Sequence, residues 1–473
     1  MTTLVAGIDS STQSCKVVVC DAETGHVVRH GRSAHPDGTS VPPDRWWDAV
    51  EHAVEGGLLD GVSALAVGGQ QHGMVALDAD DAVIRDALLW NDTRSATDAA
   101  DLVEEMGGPG VWAHDMGVVP VASFTVSKVR WLARCEPESA QRVARIVLPH
   151  DWLTARFLQA HGGFERWTTD RGDASGTGYW SSRTGAYRED IMTSALGRTF
   201  EAPAVLEPNG VAGTTSGGMV VAAGTGDNMA AGLGLGLQPG DIVVSLGTSG
   251  TVFTASPARP ADPTGTVAGF ADATGAYLPL MCTLNAARVM TAAASMLGVD
   301  LSRVDELALQ AEPGADGLSF LPYLDGERTP NLPEATGTLS GLTRANATPE
   351  NIARAALEGM LLNLRGGVEV LRDQGADVTR VLLIGGASAS TAVQAIAPSI
   401  FGVPVAVPVP GEYVGLGAAK QAAWALVGGD SPPDWPLNLA DSDSDSDASA
   451  PSSDSDTADL IGRYEALQTN VHG

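Results

Sequence analysis

Leu4-Val5-Ala6-Gly7-Ile8-Asp9-Ser10-Ser11-Thr12-Gln13-Ser14-Cys15-Lys16-Val17-Val18-Val19-Cys20 is the stretch that decides how this chain folds. Residues 4–9 read as a buried strand, Ser10 to Ser14 as a polar turn, and 15–20 as a second strand. Asp21-Ala22-Glu23-Thr24-Gly25 is a hairpin signal, after which Val27-Val28 begins a third strand. Pro42-Pro43-Asp44 opens a helix that carries Trp46 and Trp47, and Val62 to Val67 is a fourth strand. The order is a three-strand meander followed by a helical crossover. The opening recurs later. Asp241-Ile242-Val243-Val244-Ser245 is a strand, Leu246-Gly247-Thr248-Ser249-Gly250 a turn, and Thr251-Val252-Phe253-Thr254 a strand. Laid over each other, Asp9 to Ser14 matches Ser245 to Gly250, with Thr12 and Thr248 in register. A repeat on this scale predicts two related α/β domains with a ligand cleft between them, dividing near residues 233–241.

Working outward, residues 1–235 form the expected first domain and 236–430 the second. Thr348-Pro349-Glu350 starts a long helix reaching about Leu371, and Val381-Leu382-Leu383-Ile384 is a strand running into the turn Gly385-Gly386. Residues 431–457 are expected to be an acidic Ser/Asp-rich disordered linker. Its low-complexity part, 441–456, has no apolar surface to bury and is expected to be disordered. Residues 458–473 hold a final short helix.

The formal net charge of the 473-residue chain is -29. Such a surface repels nucleic acid and anionic membranes, so neither is an expected partner. It repels phosphates as well, so a bound phosphate needs local backbone N–H groups and a metal ion. The 4 cysteines, at 15, 20, 135 and 282, have no metal-ligand spacing. With no signal peptide and no membrane-length apolar run, they point to a reducing cytoplasm.

The chemistry concentrates at Val220-Val221-Ala222-Ala223-Gly224-Thr225-Gly226-Asp227-Asn228-Met229-Ala230-Ala231-Gly232: strand, glycine turn, one carboxylate, small-residue helix. Asp227 suits a general base taking a proton from a hydroxyl, or alternatively a helix N-cap. The two Gly/Ser/Thr turns could cradle a polyphosphate, or be ordinary polar hairpins; neither ends in the Gly-Lys-Ser/Thr of a Walker loop. Asp9 could position Mg²⁺ or cap its own loop. Gln71 and His72, at a strand end, could meet sugar hydroxyls, with a structural histidine as the alternative. Trp90, in Leu89-Trp90-Asn91-Asp92-Thr93-Arg94, could wall a sugar pocket. Otherwise it is core, with Asp92 and Arg94 as an ion pair.

These motifs together resemble the FGGY carbohydrate kinases. The matching pieces are Gly7-Ile8-Asp9-x-x-Thr12-x-Ser14-x-Lys16, Gly69-Gln70-x-His72-Gly73, Leu89-Trp90-Asn91-Asp92-x-Arg94, Ser127-Lys128-Val129-Arg130-Trp131-Leu132, Gly224-x-Gly226-Asp227-Asn228 and Ser245 to Gly250. Phe320-Leu321-Pro322-Tyr323-Leu324-x-Gly326-Glu327-Arg328-Thr329-Pro330 and Ala353-Arg354-Ala355-x-Leu357-Glu358-Gly359 follow. The likeness runs from residue 4 to about 427 and is nearest the xylulokinase branch. It implies two ribonuclease-H-like domains of the actin and hexokinase superfamily, and ATP-dependent phosphorylation of D-xylulose at O5. Alternatives are a kinase for ribulose, gluconate or glycerol, or a non-catalytic sugar- or nucleotide-sensing relative.

Carried over by position, the resemblance implies Asp227 as catalytic base, with Asp9 positioning Mg²⁺ and Asp227 beside it as a second metal contact. Gln71, His72, Trp90, Asn91, Asp227 and Asn228 would meet the sugar. Thr12, Ser14 and Lys16 on the first loop, and Gly247, Thr248 and Ser249 on the second, would meet ATP, with Gly385, Gly386 and Ser390 on its adenosine side. Relatives of this kind are often dimers, so the resemblance allows a homodimer without fixing the oligomeric state. Three departures stand out: Ser11 where the family usually has Gly, Gln71 where xylulokinases often have Met, and Gly385-Gly386-Ala387-Ser388-Ala389-Ser390, which lacks a third Gly and an Arg.

Overall fold

A computed structural model of the chain describes residues 2–440 and 454–472. Packing divides it into two units. The first gathers residues up to Leu237 with Ala255–Pro279 and Glu412–Leu437; the second gathers Gln238–Thr254, Leu280–Gly411 and the chain from Asn438. The sequence reading assigns 236–430 to one domain, whereas packing groups 255–279 and 412–437 with the first unit. Of the expected disordered linker 431–457, residues 441–453 lie outside the described ones, but Trp435 is buried in the core of the first unit, its Nε1–H donating to Ala22 O at 3.2 Å, and 454–457 are helical. The last helix runs Asp454–His472, longer than its expected span.

The elements that position the site, in chain order, begin with β1 (Leu4–Ser10), β2 (Ser14–Asp21), β3 (Val27–Ala34), α1 (Asp44–Ala53) and β4 (Val62–Gly69). Next come α2 (Thr125–Cys135), α3 (Pro149–His161), α4 (Arg171–Ser175), β5 (Val211–Thr214), β6 (Val220–Ala222) and α5 (Asp227–Leu235). Then follow β7 (Asp241–Leu246), β8 (Gly250–Thr254), β9 (Tyr277–Thr283), α6 (Ala287–Leu297), α7 (Pro349–Asp373) and β10 (Arg380–Ile384). The last are α8 (Thr391–Phe401), β11 (Val405–Ala406) and α9 (Tyr413–Val427).

The sheet of the first unit has the order β5-β6-β4-β1-β2-β3, and that of the second includes β9-β8-β7-β10-β11. In the first, β1 is antiparallel to β2 and parallel to β4, β2 is antiparallel to β3, and β4 is parallel to β6. In the second, β7 is antiparallel to β8 and parallel to β10, β8 is antiparallel to β9, and β10 is parallel to β11. Strand for strand, β3-β2-β1-β4-β6 and β9-β8-β7-β10-β11 agree in order and direction. The duplicated hairpin is thus the visible part of a duplicated α/β sheet, as expected for two ribonuclease-H-like domains.

β1 and β4 are central parallel neighbours, which explains their nearly unbroken apolar sequence: both faces are covered. Alternate residues part to opposite sides. Ala6, Ile8, Val17 and Val19 join Leu65, Val67, Trp46 and Trp47 in one core. Val5, Val18, Ala64 and Ala66 face Ala418, Ala419, Ala422 and Ala423 of α9 in the other. The small residues of α9 let it press on the backbone below. A Cβ on Gly7 would lie 1.8 Å from Gly415 O, and one on Gly417 1.8 Å from Ala230 O. Gly7→Ala is therefore expected to destabilise the protein by about 1–3 kcal/mol, as overpacking does, read from urea unfolding midpoints.

Candidate active site

Three adjacent parallel strands of the first unit end side by side. Ser10 pairs with Gly69, and the short strand Thr225–Gly226 pairs with Gly68 and Gly69. Asp9, the segment Gln70-Gln71-His72 and Asp227 thus leave the sheet at one place. The carboxyl ends of parallel strands are where α/β folds place ligands, because the turns there are free of the sheet ladder.

Asp227 is the first residue of α5, and the N-cap is Gly226, with no side-chain cap bond. The N-cap alternative for Asp227 is therefore not what the fold uses. Its Oδ1 instead accepts from Asn228 N at 2.8 Å and Asn228 Nδ2 at 2.9 Å. Asn228 Nδ2 also donates to Gln71 Oε1 at 2.9 Å. Gln71 is buried, and its Nε2 has no protein partner. A buried amide donor without an acceptor is costly, so an acceptor oxygen brought beside Asp227 would be favoured there. Burial raises Asp227 to about 7, helped by the charges of Asp9 and Asp173 and opposed by the Asn228 bonds.

Asp9 is 2% exposed. Burial pushes its carboxyl upward, while Lys16 and the Ser11 hydroxyl pull it down. The Ser11 hydroxyl donates to Asp9 Oδ1. Lys16 Nζ lies 3.5 Å from Asp9 Oδ2 and 2.6 Å from Glu412 Oε2, at the start of α9. Lys16 is thus held between two carboxylates. Glu412 lay outside the sequence reading because nothing local links positions so far apart.

The first turn is braced from one side. His35 Nδ1–H donates to Ser11 O at 2.9 Å, and His35 N–H to Gln13 O at 2.9 Å. A trans peptide points its N–H opposite to its carbonyl, so Thr12 N–H faces away from His35. Trp90 Nε1–H donates to the Thr12 hydroxyl at 2.8 Å. Trp90 is thereby fixed to the first turn. Asn91 Oδ1 is buried without a partner. Asp92 pairs with Arg94 at 2.8 Å and accepts from Thr39, so the ion-pair alternative for these two is realised. Ser14 is buried at the start of β2.

His72 has φ 64, in the left-handed region. Its Nδ1–H donates to Gly176 O at 2.8 Å, and its ring stacks on Phe124 with centroids 4.8 Å apart. Phe270 lies against it at 5.4 Å. Lys128, fully buried on α2, donates to Ala122 O and Ser123 O and so fixes the segment that carries Phe124. The histidine is both structurally satisfied and held in a strained backbone conformation at the site, and strain of this kind gathers where geometry must be fixed.

The second unit repeats the bracing. Ala287 N–H donates to Gly247 O at 2.8 Å, and Ala286 N–H to Thr248 O at 3.3 Å. The start of α6 thus pins two carbonyls of the turn and leaves Thr248 and Ser249 N–H directed the other way. The segment before α6 is itself fixed by buried Glu327, which accepts from Leu284 N at 2.6 Å, Asn285 Nδ2 at 3.0 Å and Asn363 Nδ2 at 2.9 Å. On the parallel neighbour, Gly385 has φ 88, and a Cβ there would lie 2.7 Å from Leu246 C. Gly385 therefore lies against the base of the Gly247–Ser249 turn, whereas a Cβ on Gly386 would meet nothing within 4 Å. Ser390 does not present a free hydroxyl: it caps α8, accepting from Val393 N at 3.1 Å, and donates to Asp305 at 2.7 Å.

Residues 4–234 match the N-terminal domain, and residues 242–426 the C-terminal domain, of the FGGY family of carbohydrate kinases. The chain belongs to that family. Its curated relatives include a xylulose kinase of Streptomyces coelicolor, 48% identical over 90% of this chain and 89% of the relative. A xylulose kinase of Streptomyces rubiginosus is 47% identical over the same shares. Among solved structures, xylulose kinase from Bifidobacterium adolescentis matches with a TM-score of 0.90 and 44% identity, covering 99% of both chains. As a member of that family, the chain is a carbohydrate kinase.

Proposed function

We propose that this FGGY kinase transfers the γ-phosphoryl group of ATP to O5 of D-xylulose, giving D-xylulose 5-phosphate and ADP, with Asp227 as the general base. The observation that carries the reading is the Gln71–Asn228–Asp227 chain. A carboxylate on a glycine turn is oriented by one amide, which is in turn held by a second amide whose own N–H lacks a partner. In this reading Gln71, His72, Trp90, Asn91 and Asn228 hold the ketose. Asp227 then takes the O5 proton while O5 attacks phosphorus and the bond to ADP breaks in line. Thr12, Ser14 and Lys16, and on the second unit Gly247, Thr248 and Ser249, serve the phosphates. Gly385 and Gly386 serve the adenosine side, and Ser390 shapes that turn through its cap. The names of the relatives, xylulose kinases at 47–48% identity, support the choice of sugar.

Mg²⁺ fits the donor set. Among the described residues no group of three or more His, Cys, Asp or Glu could hold a metal. A hard cation held by one or two carboxylates, completed by phosphate oxygens, suits Asp9 with Asp227. When bound it would neutralise charge on the phosphates. Asp9 is kept from wandering by Lys16 and Ser11, so its carboxylate is oriented beforehand. A cytoplasmic location belongs to the same proposal. The cysteines are free, and no described helix is long and apolar enough to cross a membrane.

An ADP-release assay across D-xylulose, D-ribulose, D-gluconate and glycerol tests the substrate. We expect kcat/KM for D-xylulose to exceed each of the others by about tenfold or more, since unmatched buried polar groups penalise the wrong polyol. Faster turnover of any of the other three would move the assignment to that acceptor.

A further inference from the structure

Directly behind the turn that carries Asp227 lies a buried charged cluster for which the proposed chemistry has no role. His150, at the start of α3, is fully buried, and so are its neighbours Asp151, Asp170 and Asp173. His150 Nδ1–H donates to Asp173 Oδ2 at 2.5 Å. Its Nε2 lies 3.3 Å from Asp151 Oδ1 and 4.0 Å from Asp170 Oδ1. Burial alone would push the imidazole down, but the surrounding carboxylates outweigh it and hold the ring protonated.

Charged groups taken out of water cost several kcal/mol each before pairing, and an apolar core of the same volume is often no less stable. Stability therefore does not account for the cluster, whereas its attachment to the active-site turn does. Asp170 caps α4, with Oδ1 accepting from Asp173 N at 2.9 Å and Oδ2 from Gly172 N at 2.8 Å. The same Oδ2 accepts the hydroxyl of Thr225 at 2.7 Å. Thr225 precedes Asp227 by two residues and is fully buried. On its other side, the His150 ring packs under Gly224. That glycine has φ 77, and a Cβ on it would sit 2.7 Å from His150 Cδ2. A Cβ on Gly69, at the end of β4, would sit 2.8 Å from His150 Cβ. The turn is thus gripped twice, by a hydrogen bond through Thr225 and by the ring beneath Gly224.

We propose that Thr225, Asp170 and the His150–Asp173 pair form a buried positioning network that aims the Asp227 carboxylate, so that breaking it lowers turnover without weakening substrate binding. The proposal rests on Asp227 being the base. A carboxylate tilted by about 1 Å can lose on the order of 100-fold in rate while the pocket that binds substrate stays intact.

The test uses Thr225→Val, which keeps the shape and removes the hydroxyl, and Thr225→Ser, which keeps the hydroxyl and removes a methyl. Each is compared with the parent by thermal melting and by steady-state ADP release, alone and combined with Asp227→Asn. We expect Thr225→Val to lower kcat about 10- to 100-fold with KM for sugar and ATP within about twofold. Thr225→Ser should stay within about threefold of the parent. In the Asp227→Asn background, Thr225→Val should cost nothing further, because the group it aims is already gone. The network is overturned if Thr225→Val turns over normally or if Thr225→Ser loses as much as Thr225→Val, which is the mark of packing alone. It is also overturned if the losses multiply in the double variant. Normal turnover by Asp227→Asn alone is a separate result: it removes the base, whatever Thr225 does. Should Thr225→Val melt at too low a temperature to assay, Asp170→Asn takes its place, removing the charge and keeping an acceptor oxygen. The same fall in kcat at constant KM then supports the network, and normal turnover overturns it.

Discussion

Asp227→Asn is expected to lower kcat by roughly 10²–10⁴-fold, the share general-base catalysis usually supplies. ATP binding should be kept, since the turns proposed to hold the phosphates are untouched and Asp9 remains as a carboxylate for the metal. The same change is expected to stabilise the fold. The Asn228 N–H and Nδ2 bonds both end on Oδ1, which an asparagine retains. What disappears is a charge that burial and the neighbouring Asp9 and Asp173 disfavour, as the rise of this carboxyl to about 7 records. The folded-state value lies above that of the unfolded chain. The cost is therefore absent below about pH 4, grows as pH rises, and is complete above about pH 7. At pH 8 the gain in the variant is on the order of 2–4 kcal/mol. Thermal melts of the nucleotide-free protein, run beside the kinetics, check both halves. A structural aspartate would give the opposite pattern, with lost stability and kept turnover in whatever remains folded.

The second large effect is on pH. A base must be ionised to act, so kcat/KM for D-xylulose is expected to rise about tenfold per pH unit and level off near pH 7. At pH 5 it should stand roughly 100-fold below the plateau. Burial also raises the carboxyls of Asp151, to about 7, and Asp173, to about 6, so the wild-type curve alone is not decisive. The residual activity of Asp227→Asn separates them. Its profile should be flat over the range where the parent climbs. A parent curve that is flat from pH 5 to 8 in folded protein would remove Asp227 as the titrating group.

The parts of this protein that were legible in its sequence share a cause. The twin hairpins could be read because central strands covered on both faces need unbroken apolar runs, and tight turns between them need small polar residues. Asp9, Asp227, Gln71 and His72 could be placed because each lies at or just beyond the end of such a strand. What escaped was long-range. Nothing near Lys16 announces Glu412, and the packing of 255–279 and 412–437 with the first unit depends on contacts that close only in three dimensions. The Leu148-Pro149-His150-Asp151 and Thr169-Asp170-Arg171-Gly172-Asp173 segments carry no mark of burial, since composition cannot tell a solvated charge from one buried against another. The strained φ of His72 and its stack on Phe124 were likewise invisible, because backbone strain is imposed by neighbours. The capping role of Ser390 could have been found: a serine before an apolar helical run is a recognised helix start, and that signal stood in the chain.

The way α9 closes over β1 and β4 has a consequence for biosynthesis. Val5, Val18, Ala64 and Ala66 leave the ribosome early, yet the alanines that cover them begin beyond Tyr413. At ordinary elongation rates the interval between Leu237 and Val427 lasts roughly 10–40 s. Throughout that time the nascent first unit carries a greasy, uncapped sheet surface, so its maturation has to await the tail of the polypeptide, and a fragment halted at Leu237 should need a chaperone to stay in solution.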